Sequence, residues 1–124
     1  TLTIPGSVTT IGPDAFAYCG ALAGIDLSGA TKLETIGSYA FRNCSSRASA
    51  LTIPGNVATI GLSALSGITA ISQVSFVSSA TDVTIASGAF DPALAGLSWS
   101  GTSLPTLNGS TFTRALTGVN FIAP

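Results

Sequence analysis

Residues 2–12 read LTIPGSVTTIG and residues 51–61 read LTIPGNVATIG, with nine of eleven letters unchanged at a separation of 49. A chain that writes one unit twice is made of copies of a small element, and no copy buries its apolar face alone. The interval should then hold a third copy, and GIDLSGATKLETIG at 24–37 supplies it. Each unit shows an alternating apolar pair, a second apolar pair and an Ala-Phe couple. The first has Leu2 and Ile4, Val8 and Ile11, then Ala15-Phe16. The second has Ile25 and Leu27, Leu33 and Ile36, then Ala40-Phe41; the third has Leu51 and Ile53, Val57 and Ile60, then Ala64-Leu65. A fourth runs from Val74 and Phe76 through Ile85 to Ala89-Phe90, without an apolar residue at 82. The fifth offers Leu97 and Trp99, Leu104 and Leu107, then Thr111-Phe112, and a sixth begins with Val119 and Phe121.

The Phe-type positions 16, 41, 65, 90 and 112 step by 25, 24, 25 and 22, and the strand anchors 4, 27, 53, 76, 99 and 121 step by 23, 26, 23, 23 and 22. So 49 is two periods of about 24 residues, inside the 20–29 range of a leucine-rich repeat. Each alternating pair has period 2 and predicts a short strand with both large side chains on one face. Strands one period apart stack in parallel, each reached by one coil of a solenoid. Pro13-Asp14, Ser38-Tyr39 and Ser63 stand where a short helical turn would begin, since Pro suits an early helical position and Asp or Ser can take orphan amides. The expected fold is α/β: a right-handed leucine-rich-repeat solenoid of five to six coils of 22–26 residues. A parallel sheet forms its concave face, and short helical turns form its back.

Composition narrows the function classes. Only 7% of the 124 residues are charged and 46% are hydrophobic, yet recurring Ile, Leu and Val argue against disorder, and no apolar run is long enough for a spanning helix. A net charge of −1 removes the electrostatic basis for binding nucleic acid. With no His, neither Ser-His-Asp nor Cys-His machinery can be built. Asp14 and Asp26 fall on different coil segments rather than as a facing carboxylate pair, and the glycines follow the repeat rather than a phosphate loop. We therefore expect no enzyme and no cofactor. The sequence has neither a starting Met nor a signal-like stretch, so the single domain spanning 1–124 is expected to be a piece of a longer repeat protein.

The stretch LTIPGSVTTIGPDAFAYC resembles the repeat of BspA-like (treponemal-type) leucine-rich-repeat surface proteins, Leu-x-x-Ile-x-Ile-Pro-x-x-Val-x-x-Ile-Gly-x-x-Ala-Phe-x-x-Cys. The resemblance covers essentially the whole chain, closely to about residue 65 and more loosely afterwards. It implies a bacterial secreted or cell-surface location and adhesion to host extracellular proteins or other cells. It also places small buried thiols at Cys19 and Cys44, each three residues after its Phe. A disulfide between them is not expected, because coils splay apart on a helical back and a disulfide needs Cα atoms within about 7 Å. Two thiols without His are no metal site.

Residues between the strand anchors should point outward: Thr3, Asp26, Thr52, Ser75, Ser98 and Asn120, with Gln73, Ser28 and Ser100 flanking and Pro5 and Pro54 at the margin. This row of hydroxyl and amide groups is the candidate ligand-binding face. Trp99 shares the parity of Leu97 and is expected inside, while Arg42, Arg47 and Arg114 are expected as solubilising residues on the back. Three functions compete: a protein-recognition or adhesion module, a structural spacer presenting another domain, and ice binding, the last disfavoured by the breaks at Asp26, Ser75 and Asn120. The terminal coils show no polar cap, which leads us to expect flanking repeats or end-to-end self-association.

Overall fold

A computed structural model describes residues 1–44, 51–68, 74–76, 83–86 and 88–89 in full, and the backbone of residues 50, 73, 96–99, 106–107 and 118–121. Eleven short strands lie among these residues: β1 (Leu2–Thr3), β2 (Thr10–Ile11), β3 (Ile25–Asp26), β4 (Thr35–Ile36), β5 (Ala50–Ile53), β6 (Thr59–Ile60), β7 (Gln73–Phe76), β8 (Thr84–Ile85), β9 (Gly96–Trp99), β10 (Thr106–Leu107) and β11 (Gly118–Phe121). All pairings are parallel, and they join every second strand. Each coil thus gives one strand to each of two sheets.

The first sheet comes from the alternating pairs. It is hydrogen-bonded in two pieces, β1–β3 and β5–β7–β9–β11. Ile25 and Leu27, Leu51 and Ile53, and Val74 and Phe76 are all buried, as an alternation with one core-facing side requires. The second sheet runs β2–β4–β6–β8–β10. The residues expected only to turn the chain behind the first sheet form this one instead. Its members are Thr-Ile dipeptides, capped by Thr106-Leu107 in β10, and two β-branched residues suit a pleated, half-buried surface. Ile11, Ile36, Ile60 and Ile85 stack inward in register and are buried. Asp82 leaves the apolar slot of the fourth unit empty in sequence, and the neighbouring Val83 turns inward and is buried in its stead.

The back is where the expectation fails. Among the described residues there is no helix. The Ala-Phe segments are successive four-residue turns, closed in the first coil by the amides of Ala15, Ala17 and Cys19 donating to the carbonyls of Gly12, Asp14 and Phe16. Asp14, Tyr39, Ser63 and Gly88 adopt left-handed backbone (φ 56, 60, 50 and 66°), as do Tyr18, Asn43 and Gly67 (60, 55 and 76°). Pro13 therefore sits before the left-handed third residue of a turn, a position Pro favours as strongly as a helix start. The intervening amides are taken by the next coil: Asp14, Phe16 and Tyr18 donate to the carbonyls of Ser38, Ala40 and Arg42 at 3.0, 2.8 and 2.7 Å. Tyr39, Phe41 and Asn43 repeat this one coil on, towards Leu62, Ala64 and Ser66. Hydrogen bonds that run between coils cannot also close a helix within one. The result is three stacked layers, with Ala40, Ala64, Ala89 and Phe41 filling the space between the sheets and the turns.

Candidate functional site

The outward row of the first sheet is assembled by register. Thr3 pairs with Asp26 in one piece of the sheet. Thr52, Ser75, Ser98 and Asn120 follow one another across the other. Thr3 and Thr52 are exposed, Asp26 and Ser75 half-buried. Gln73 occupies the next row, beside Ala50 and Gly96. The side chains of Gln73, Ser98 and Asn120, and all of Ser100, lie outside the described residues. So six of the eight candidates share one backbone row, divided between β3 and β5 into a short and a long segment.

Asp26, the row's acid, is already engaged. Its Oδ1 accepts from the Ser28 amide at 2.9 Å and from the Ser28 hydroxyl at 2.6 Å. This is a local Asx-type turn that ends β3. The Ser28 hydroxyl first, and its amide second, hold the carboxyl below its ordinary value. Asp26 thus shapes the strand end more than it offers a free charge to a partner.

Sequence reasoning overlooked a second row. Thr10, Thr35, Thr59 and Thr84 stand in register on the second sheet, with Thr106 continuing the backbone row. Thr10 and Thr59 are exposed, Thr35 and Thr84 half-buried, and none of these four side chains hydrogen-bonds to another described residue. The signal was available: Thr-Ile recurs at 10, 35, 59 and 84, and alternation puts the Thr outward wherever the Ile is inward.

On the turn layer, Arg42 is more than a solubilising residue. Its guanidinium carbon lies 5.0 Å from the Tyr18 ring centroid and 4.6 Å from that of Tyr39, and its Nη2 donates to the Tyr18 hydroxyl. Both tyrosines occupy left-handed positions, where a bulky residue is an outlier. The double cation–π contact compensates for that strain. Trp99 falls in register beside Phe76 in the backbone ladder; its side chain lies outside the described residues, as do Arg47 and Arg114. Among the described residues there is no group of metal-ligating side chains, and no helix is long and apolar enough to cross a membrane.

The arrangement offers repeated hydrogen-bonding groups on flat β-surfaces, chemistry suited to recognition. Neither a curated protein nor a solved structure matches the chain. The BspA type leucine rich repeat region matches it in six copies over residues 1–96. Repeats of this type are generally protein-binding and typically non-catalytic, and the proteins that carry them are usually surface proteins. With that match across most of its length, and parallel strands stacked at the period of the repeat, the chain belongs to the BspA-type leucine-rich-repeat family.

Proposed function

We propose that this chain is one continuous solenoid domain of a secreted or cell-surface protein that adheres to host extracellular proteins or to other cells. It is not an enzyme. The outward face of the first sheet carries the contact. One observation supports this most directly: Thr3 and Asp26, then Thr52, Ser75, Ser98 and Asn120, fall in two in-register rows of polar residues. Each such group forms a weak hydrogen bond with a partner, and affinity comes from engaging several at once.

The test is binding of the purified chain to immobilised extracellular-matrix proteins, mucins and bacterial cells. It is run beside a variant with Thr52, Gln73, Ser75 and Ser98 changed to Lys or Glu. Binding lost in the variant supports adhesion through this face. Absence of binding by the parent chain favours a structural spacer that presents another domain. The unbroken threonine row of the second sheet favours one further reading, ordering of water at an ice surface. Thermal hysteresis that Thr35→Lys and Thr59→Lys abolish would move the functional face from the first sheet to the second.

A further inference from the structure

We propose that Cys19 and Cys44 are a disulfide-forming pair that ties the first two coils together across the turn layer. The reason for expecting free thiols was a back on which helices push the coils apart. The turn layer removes that reason. Phe16 and Tyr18 donate to the carbonyls of Ala40 and Arg42 in the next coil, so equivalent residues follow in register. Chains hydrogen-bonded side by side lie about 4.8 Å apart, inside the Cα separation of roughly 4.4–6.8 Å that a disulfide spans. The Phe16 and Phe41 rings, three residues before each cysteine, keep that register with centroids 5.4 Å apart and planes 13° from parallel.

The sulfur of Cys44 points towards the first coil. Its Sγ donates to the Phe16 carbonyl at 2.7 Å, and the Cys19 amide donates to that same oxygen at 3.3 Å. The two cysteines therefore converge on one acceptor from adjacent coils. Their electrostatics agree: burial pushes the Cys44 thiol up, the Cys19 amide partly offsets this, and the neighbouring Cys19 thiol pushes it up again. In the third coil the slot holds buried Ile68, so packing does not demand a thiol. Both thiols are free in this structure, Cys44 buried and Cys19 half-buried.

Unequal exposure sets the order of events. A disulfide-bearing donor, protein or small molecule, is attacked by the Cys19 thiolate at one sulfur, and its other half leaves as a thiolate. The Cys44 thiol then gives its proton to water and attacks the Cys19 sulfur of the mixed disulfide. The second half of the donor leaves. The chain loses two hydrogens, and the donor disulfide is reduced to two thiols. This clip adds a covalent tie on the turn layer to the two coils that β1 and β3 already join in the first sheet.

The test uses the whole chain, reduced and then incubated with oxidised glutathione, followed by alkylation and intact and peptide mass spectrometry. The expected product is a monomer lighter by two hydrogens with Cys19 linked to Cys44, and with an unfolding midpoint above that of the reduced chain. Cys44→Ser should accumulate glutathione on Cys19, whereas Cys19→Ser should leave Cys44 largely unmodified. Two alkylatable thiols after oxidation, linkage only between chains, or a midpoint lowered by the bond would each overturn the proposal.

Discussion

Replacing Phe41 by alanine removes a fully buried ring that stacks on Phe16 of the preceding coil. An aromatic side chain buries about 150–250 Å², which at roughly 25 cal/mol per Å² amounts to about 4–6 kcal/mol. A compact unfolded state lowers that figure by roughly 10–40%, leaving about 3–5 kcal/mol, the range measured for Phe→Ala changes in cores. Phe16 fills the same slot one coil earlier but is only half-buried, so Phe16→Ala should cost about half as much. Their stacked rings should couple by about 1 kcal/mol in a double-mutant cycle. Phe41→Leu should be much milder, because the third coil already carries buried Leu65 in this slot. Urea unfolding followed by circular dichroism measures all four variants under reducing conditions. The packing argument fails if Phe41→Ala costs less than Phe16→Ala, or if the pair shows no coupling.

A Cβ added at Gly61 would stand 2.5 Å from the Ser38 amide nitrogen, whereas one at Gly12 meets nothing within 4 Å. Gly61→Ala should therefore cost about 1–2 kcal/mol, moderated because Ala86 is accommodated in the fourth coil, where its turn bond from Ala89 lengthens to 3.4 Å. Gly12→Ala should be neutral or gain about 0.4–1 kcal/mol, and equal melting temperatures for the two would refute the close-approach argument. Asp26 has a folded pKa lowered by Ser28 from an ordinary 3.8. Its contribution is present above that value and is lost as pH falls through the lowered folded value; Ser28→Ala should lower stability near neutrality, where that contribution is complete, and approach the parent at low pH, which flattens its profile below pH 3.8. Arg42→Gln should cost about 1–2 kcal/mol by removing two cation–π contacts. In that background Tyr18→Gly should restore stability by relieving left-handed strain; a further loss would show that Tyr18 packs independently of Arg42.

The repeat, the inward anchors and the parallel stacking were legible because period 2 and period 24 are written directly in residue type. Ile4, Leu27, Ile53 and Phe76 are buried as their spacing requires. The second sheet was missed because a strand of two residues, such as Thr10–Ile11, is too short to show alternation within itself; its pattern exists only between coils. The helical back was misread because Pro13-Asp14 and Ser38-Tyr39 suit a helix start and a tight turn equally well. What decides between them is a distant carbonyl, that of Ser38 for Asp14 and that of Leu62 for Tyr39, and no local signal reports it. Thr3 and Asp26, and Thr52, Ser75, Ser98 and Asn120, fall in backbone register as their spacing requires, but the interruption between β3 and β5 lies in pairing, which side-chain spacing does not encode.

The turn layer also bears on mechanics. A solenoid curves when its back rises faster per coil than its front, as when helices about 10 Å across are set behind strands about 4.8 Å apart. Among the described residues the back advances by hydrogen bonds of 2.7–3.0 Å between coils, like the sheets, so no wedge bends the stack there. Such a rod lengthens by one strand spacing per repeat and resists stretching on every side at once. For a protein anchored at one end, reach is then set by counting coils. A partner with its own linear periodicity can be met along the rod without either molecule having to wrap around the other.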